Sequence, residues 1–129
     1  MRRFMPWRKQ PVIPYLDLSG KIEKPSSQFG AAGKTLSLKV HGPQITCAFK
    51  AITKNYPVIA ISLNSPGGSP VQSHLLYQHI RFCKSMAERR LGQERVEVLV
   101  FVEDVAASGG YMIACAGDEV YANESRVVG

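Results

Sequence analysis

Long apolar runs are missing from this sequence of 129 residues, in which Val98 to Val102 gives five in a row. A membrane-spanning helix needs roughly 20. A helical span within these residues is therefore excluded, and a soluble protein is expected. Cysteine is sparse too. Cys47, Cys83 and Cys115 lie far apart with no Cys-x-x-Cys pair, which argues against a disulfide framework or a zinc site and fits reduced thiols in the cytoplasm. Of the three histidines, His74 and His79 stand five apart and so on different faces of a helix, unlike paired metal ligands. His41, alone in a turn, reads as an exposed or capping group. No metal and no cofactor is expected.

The net charge of +6 would suit a nucleic-acid binder, but no motif of that kind is present and the basic residues are scattered. They cluster only at the N-terminus and at Arg81, Lys84, Arg89 and Arg90. No nucleic-acid partner is expected. Residues 1–11 read as a basic tail without the apolar region of an export signal. Arg2, Arg3, Arg8 and Lys9 around Phe4 and Trp7 could bring a peripheral contact with the inner membrane, although a frayed terminus is the favoured account.

What is present is a pair of matching units. Val58 to Leu63 is apolar and short enough for a buried strand, and it ends in Asn64-Ser65-Pro66-Gly67-Gly68-Ser69 before a long helical pattern. Val96 to Val102 is a second such strand, followed by Ala106-Ala107-Ser108-Gly109-Gly110 and a small-residue helix over Tyr111 to Ala116. Two strand, glycine-loop and helix units in succession imply parallel strands, so both loops should open on one edge of the sheet. Ser108 is then a hydroxyl on a strand-to-helix turn beside backbone N–H groups that have no partner within the helix. The two loops read as one site.

Around these units, Val12 to Leu18 is expected to be a first strand, with Pro14 placing it near an edge. Lys21 to Lys34 is expected to be a loop, and Thr35 to Val40 a short extended piece. Gly42-Pro43 should open an amphipathic helix that ends near Asn55. Val71, Leu75, Leu76, Ile80, Cys83, Ala87 and Leu91 form the apolar face of a long helix capped by Ser69, with Pro70 just inside its start. Glu119 to Ala122 is a further strand, and Arg126 to Gly129 opens another apolar piece.

Asn64-Ser-Pro-Gly-Gly-Ser69 followed by Val105-Ala-Ala-Ser-Gly-Gly-Tyr111 resembles the signal peptide peptidase A family of serine peptidases, peptidase family S49. The resemblance runs from roughly Val12 to Gly129 and implies an α/β, Clp-protease/crotonase-like fold of parallel strands with crossover helices. Residues 12–129 would be the N-terminal part of a single peptidase domain. The resemblance makes Ser108 the nucleophile and gives the oxyanion-hole N–H groups to Gly68 and Gly109, with Pro66, Gly67 and Gly110 supporting the loops. It also implies a peptide or signal-peptide substrate and a homo-oligomer.

A serine needs a base within hydrogen-bond reach. The resemblance implies a lysine downstream, yet no lysine or histidine occurs between Ser108 and Gly129, so the base is expected beyond Gly129 and these residues alone are expected to be inactive. Three other readings stay open. One is a peptide-binding scaffold or remnant of the same fold, another a Clp-like Ser-His-Asp protease. The third, an acyl-CoA enzyme of the crotonase type, has no obvious catalytic carboxylate in the loops.

Overall fold

The computed structural model describes residues 12–25, 35–124 and 126–129. The basic tail and most of the expected loop before Thr35 lie outside the described residues. Four strands form one parallel sheet in the spatial order β1 (Tyr15–Ser19), β4 (Val58–Ser65), β5 (Glu97–Ala106) and β6 (Glu119–Ala122). A short strand β7 (Val127–Val128) pairs with β5 further along the edge that β6 uses. Outside this sheet, β2 (Lys21–Ile22) pairs with β3 (Thr35–Leu36). The helices are α1 (Leu38–Lys50), α2 (Pro70–Leu91) and α3 (Gly109–Ala114). This is the parallel α/β architecture expected of a Clp-protease/crotonase-like chain.

Alternation along the strands explains where the core lies. Leu16 and Leu18 on β1, Ile59, Ile61 and Leu63 on β4, and Val98, Val100 and Val102 on β5 are all buried. They pack with Ile45 and Phe49 of α1 and with Leu76, Ile80 and Ala87 of α2 in one cluster. On β4 the intervening Ala60 and Ser62 are buried as well, whereas the outer faces of the neighbouring strands are more open. Tyr15, Phe101 and Tyr121 remain exposed, with the Phe101 and Tyr121 rings stacked at 5.2 Å between centroids. β5 is therefore buried on one face only, rather than wholly as its apolar run suggests.

Several boundaries depart from the sequence reading. The helix expected from Gly42-Pro43 starts one turn earlier, because the Ser37 hydroxyl accepts from the Val40 N–H at 3.3 Å and caps it. Pro43 then sits inside α1, and the helix ends at Lys50 rather than near Asn55. His41 belongs to that cap, its Nδ1 accepting from the Ser37 N–H at 3.4 Å. In α2, Ser69 caps the Gln72 N–H at 3.2 Å and Pro70 is the first residue, as expected. Its buried face, however, begins at Ser73, and Val71 is 67% exposed. Ser73 turns inward because its hydroxyl finds a partner in the Ser69 carbonyl at 2.7 Å.

Asp118, in the turn from α3 to β6, ties three elements together. One carboxylate oxygen accepts from Lys84 Nζ on α2 at 2.7 Å and the other from the Val98 N–H on β5 at 2.8 Å. Burial pushes its pKa upward. The hydrogen bonds from Lys84 and Val98, with the charges of Lys84 and Arg95, outweigh that and hold the carboxyl below its ordinary value of 3.8.

Candidate active site

Both glycine loops leave the sheet at adjacent strand ends, and the chain itself brings them into contact. β4 and β5 are in register up to Leu63 and Val102, and a shift then sets Ser65 opposite Ala106. The Ser65 carbonyl accepts from the Ala107 N–H at 3.2 Å, which carries the pairing into the turn. The loop over Pro66 to Gly68 thus lies directly against Ser108.

Gly67 shows how close that approach is. A β-carbon there would lie 2.8 Å from the Ala107 carbonyl oxygen, 2.9 Å from the Ser108 β-carbon and 3.1 Å from the Gly109 nitrogen. Its φ of +101° also disfavours any side chain. Only glycine allows the two backbones to meet this way. On the other side of the site, a β-carbon at Gly109 would fall on the Ser73 hydroxyl oxygen, and one at Gly110 would lie 2.6 Å from the Ser65 carbonyl oxygen.

Ser108 is the one described residue other than glycine with a positive φ, at φ 53° and ψ −117°. This is the first central position of a type II′ turn, a region that glycine favours and that costs a side-chain-bearing residue about 1 to 3 kcal/mol. The residue is exposed. Its hydroxyl makes no cap hydrogen bond to α3, and its N–H is directed at the Gly129 carbonyl at 3.4 Å. A strained turn that holds a serine hydroxyl out at a strand-to-helix junction is the arrangement a nucleophile requires.

Two backbone donors of the touching loops have no acceptor among the described residues. Gly109 opens α3, where no intrahelical partner exists for its N–H. The Gly68 N–H is also unpaired, for a reason that begins on β2. The Ile22 N–H donates to the Gly67 carbonyl at 2.9 Å, and the Ser69 N–H donates to the Ile22 carbonyl at 2.6 Å. Because the Gly67–Gly68 peptide is trans, its N–H points opposite to its carbonyl and hence away from β2. Gly68 is exposed while Gly67 is buried. Such donors can stabilise negative charge developing on an oxygen beside Ser108.

All six residues singled out in the sequence, Pro66, Gly67, Gly68, Ser108, Gly109 and Gly110, lie in these two touching loops. Three participants were missed. Ile22, in a segment read as loop, bridges to Gly68, and its side chain lies 3.3 Å from the β-carbon position of Gly109. The signal was there, since the alternation of Leu16 and Leu18 continues past Gly20 to Ile22. Ser65 and Ser73, both fully buried, were passed over as a motif letter and a polar helix position. Among the described residues, no group of three or more His, Cys, Asp or Glu side chains could hold a metal ion.

Comparison with known proteins agrees with this geometry. Residues 81–129, which include Ser108 and its turn, match peptidase family S49. The whole chain is 43% identical to a segment making up 16% of a Na(+)/H(+) antiporter NhaA from Brucella melitensis. Over 94% of its length the chain is 29% identical to 29% of the probable protease SohB of Haemophilus influenzae. Over 60% of its length it is 34% identical to 10% of the chloroplastic serine protease SPPA of Arabidopsis thaliana. The chain thus spans less than a third of the length of each of these relatives. The family match over residues 81–129, the protease relatives and the parallel α/β fold that joins the two glycine loops together liken the chain to peptidase family S49.

Proposed function

We propose that the protein carrying this chain is a serine peptidase in which Ser108 attacks the peptide carbonyl. The observation that carries the reading is the exposed Ser108 hydroxyl, held at φ 53° on a turn packed against Gly67. In the first step the Ser108 Oγ–carbon bond forms and the hydroxyl proton passes to a base. The oxyanion receives hydrogen bonds from the Gly68 and Gly109 N–H groups, each worth about 3 kcal/mol in comparable sites. Collapse expels the amine, which takes up the proton, and water then hydrolyses the acyl-enzyme.

The base is assigned to a residue outside those described here. A lysine suits the role because burial lowers the pKa of an ammonium group towards neutrality. A histidine there would make the enzyme Clp-like instead. Hydrophobic peptides of the signal-peptide type are the proposed substrates, and a homo-oligomer in the cytoplasm the proposed setting.

The competing reading is a peptide-binding scaffold. It is favoured by the lack of any hydrogen bond from the Ser108 hydroxyl to a basic side chain among the described residues. Hydrolysis of unstructured peptides by the full-length protein and by its Ser108→Ala variant separates the two. Loss of turnover in the variant supports the peptidase, no turnover in either protein supports the scaffold, and an unchanged rate would refute Ser108 as the nucleophile.

A further inference from the structure

The Gly68 N–H can serve an oxyanion only if the Gly67–Gly68 peptide plane is prevented from turning. One side of that plane is held by β2, through the Ile22 N–H and the Gly67 carbonyl. Nothing in that bond fixes the preceding peptide, and a Pro-Gly-Gly sequence offers no side-chain packing of its own to do so. The Ser65 hydroxyl supplies the second hold. Its Oγ accepts from the Gly67 N–H at 3.2 Å, in a position with no solvent exposure.

Ser65 also reaches the other loop. Its carbonyl accepts from the Ala107 N–H at 3.2 Å, and its β-carbon lies 3.2 Å from the β-carbon position of Gly110. A single buried residue therefore touches the backbone on both sides of the site. Removal of its hydroxyl would leave the buried Gly67 N–H without a partner, and the cheapest relief is rotation of the loop towards another acceptor. That rotation turns the Gly68 N–H as well.

We infer that Ser65 is a positioning residue, whose hydroxyl sets the direction of the Gly68 N–H by capturing the Gly67 N–H. This rests on the peptidase reading above. Because an oxyanion forms only in the transition state, the loss should fall on kcat and leave KM nearly untouched.

The test uses the full-length protein with Ser65→Ala and Ser65→Cys. Alanine leaves the γ position empty, whereas cysteine fills it with a group larger than a hydroxyl that is only a weak acceptor, so the pair separates loss of hydrogen bonding from loss of volume. Both variants are expected to lose about 10- to 100-fold in kcat, with KM within about 2-fold of wild type. In the wild-type chain, amide exchange by NMR should show Gly67 protected and Gly68 exchanging freely, a readout independent of whether either variant folds. Ser108-dependent turnover in the wild type together with a Ser65→Cys kcat within about 3-fold of it would overturn the role of Ser65 alone, as would a Gly67 amide that exchanges as fast as Gly68. No Ser108-dependent turnover in the wild type would instead overturn the peptidase reading, and this role with it.

Discussion

Replacing Ser108 by glycine should make the protein more stable while removing the group on which its proposed chemistry depends. At φ 53° and ψ −117° the backbone occupies a region in which a β-carbon costs about 1 to 3 kcal/mol. Glycine relieves that cost but gains unfolded-state entropy, which takes back about 0.5 to 1 kcal/mol. The Ser108 side chain makes no cap bond to α3 and is exposed, so little else is lost. Ser108→Ala is the reference, because it removes the hydroxyl and keeps the β-carbon. Ser108→Gly should therefore exceed Ser108→Ala by about 0.5 to 2 kcal/mol in urea unfolding followed by circular dichroism. Equal stability, or a less stable glycine variant, would refute the argument that the turn is strained.

Two further substitutions probe the support around that turn. Gly67→Ala places a β-carbon 2.8 Å from the Ala107 carbonyl oxygen and 2.9 Å from the Ser108 β-carbon, so the nucleophile loop must shift. Peptide hydrolysis should fall by about 100-fold or more. Gly92→Ala, at another positive φ but with nothing within 4 Å, should cost about 1 kcal/mol of stability and no activity, and similar activities for the two variants would contradict the packing argument. Asp118→Asn should destabilise by about 1 to 2 kcal/mol at pH 7, since it weakens the link between Lys84 and the Val98 N–H, and the ion-paired side chains of Lys84 and Asp118 are only 13% and 11% exposed. Because the folded carboxyl lies below its ordinary 3.8, this increment is complete above about pH 4 and disappears as pH falls through the folded value. The gap between wild type and variant in urea unfolding should thus narrow as the pH is lowered from 7 to below 3.8; a constant gap would show that the charge is not responsible.

The sheet and the site were legible in the sequence to different depths. The strands around Val58 and Val96 and the cap at Ser69 could be read because apolar runs and capping residues act locally. That the loops after those strands meet followed from the parallel connection alone. The helix start at Ser37 was not readable in the same way, because Gly42-Pro43 is also a good opening and only the Ser37 and His41 hydrogen bonds decide between them. The exposure of Phe101 and Tyr121 was hidden as well, since an apolar strand looks alike whether one face or both are covered. Ile22, Ser65 and Ser73 matter through contacts across 20 or more positions of sequence, or through a hydroxyl aimed at a nearby backbone group. The alternation from Leu16 and Leu18 past Gly20 pointed to a buried Ile22, but composition and periodicity carry no trace of its partner or of the hydroxyl bonds of Ser65 and Ser73.

The central claim is that Ser108 is the nucleophile of a peptidase. Its most direct test is to treat the full-length protein with a serine-directed fluorophosphonate and locate the adduct by peptide mass spectrometry. The account predicts one adduct on the peptide containing Ser108, absent from Ser108→Ala and formed in parallel with loss of peptide hydrolysis. An adduct on a different serine, or full hydrolysis by Ser108→Ala, would contradict it.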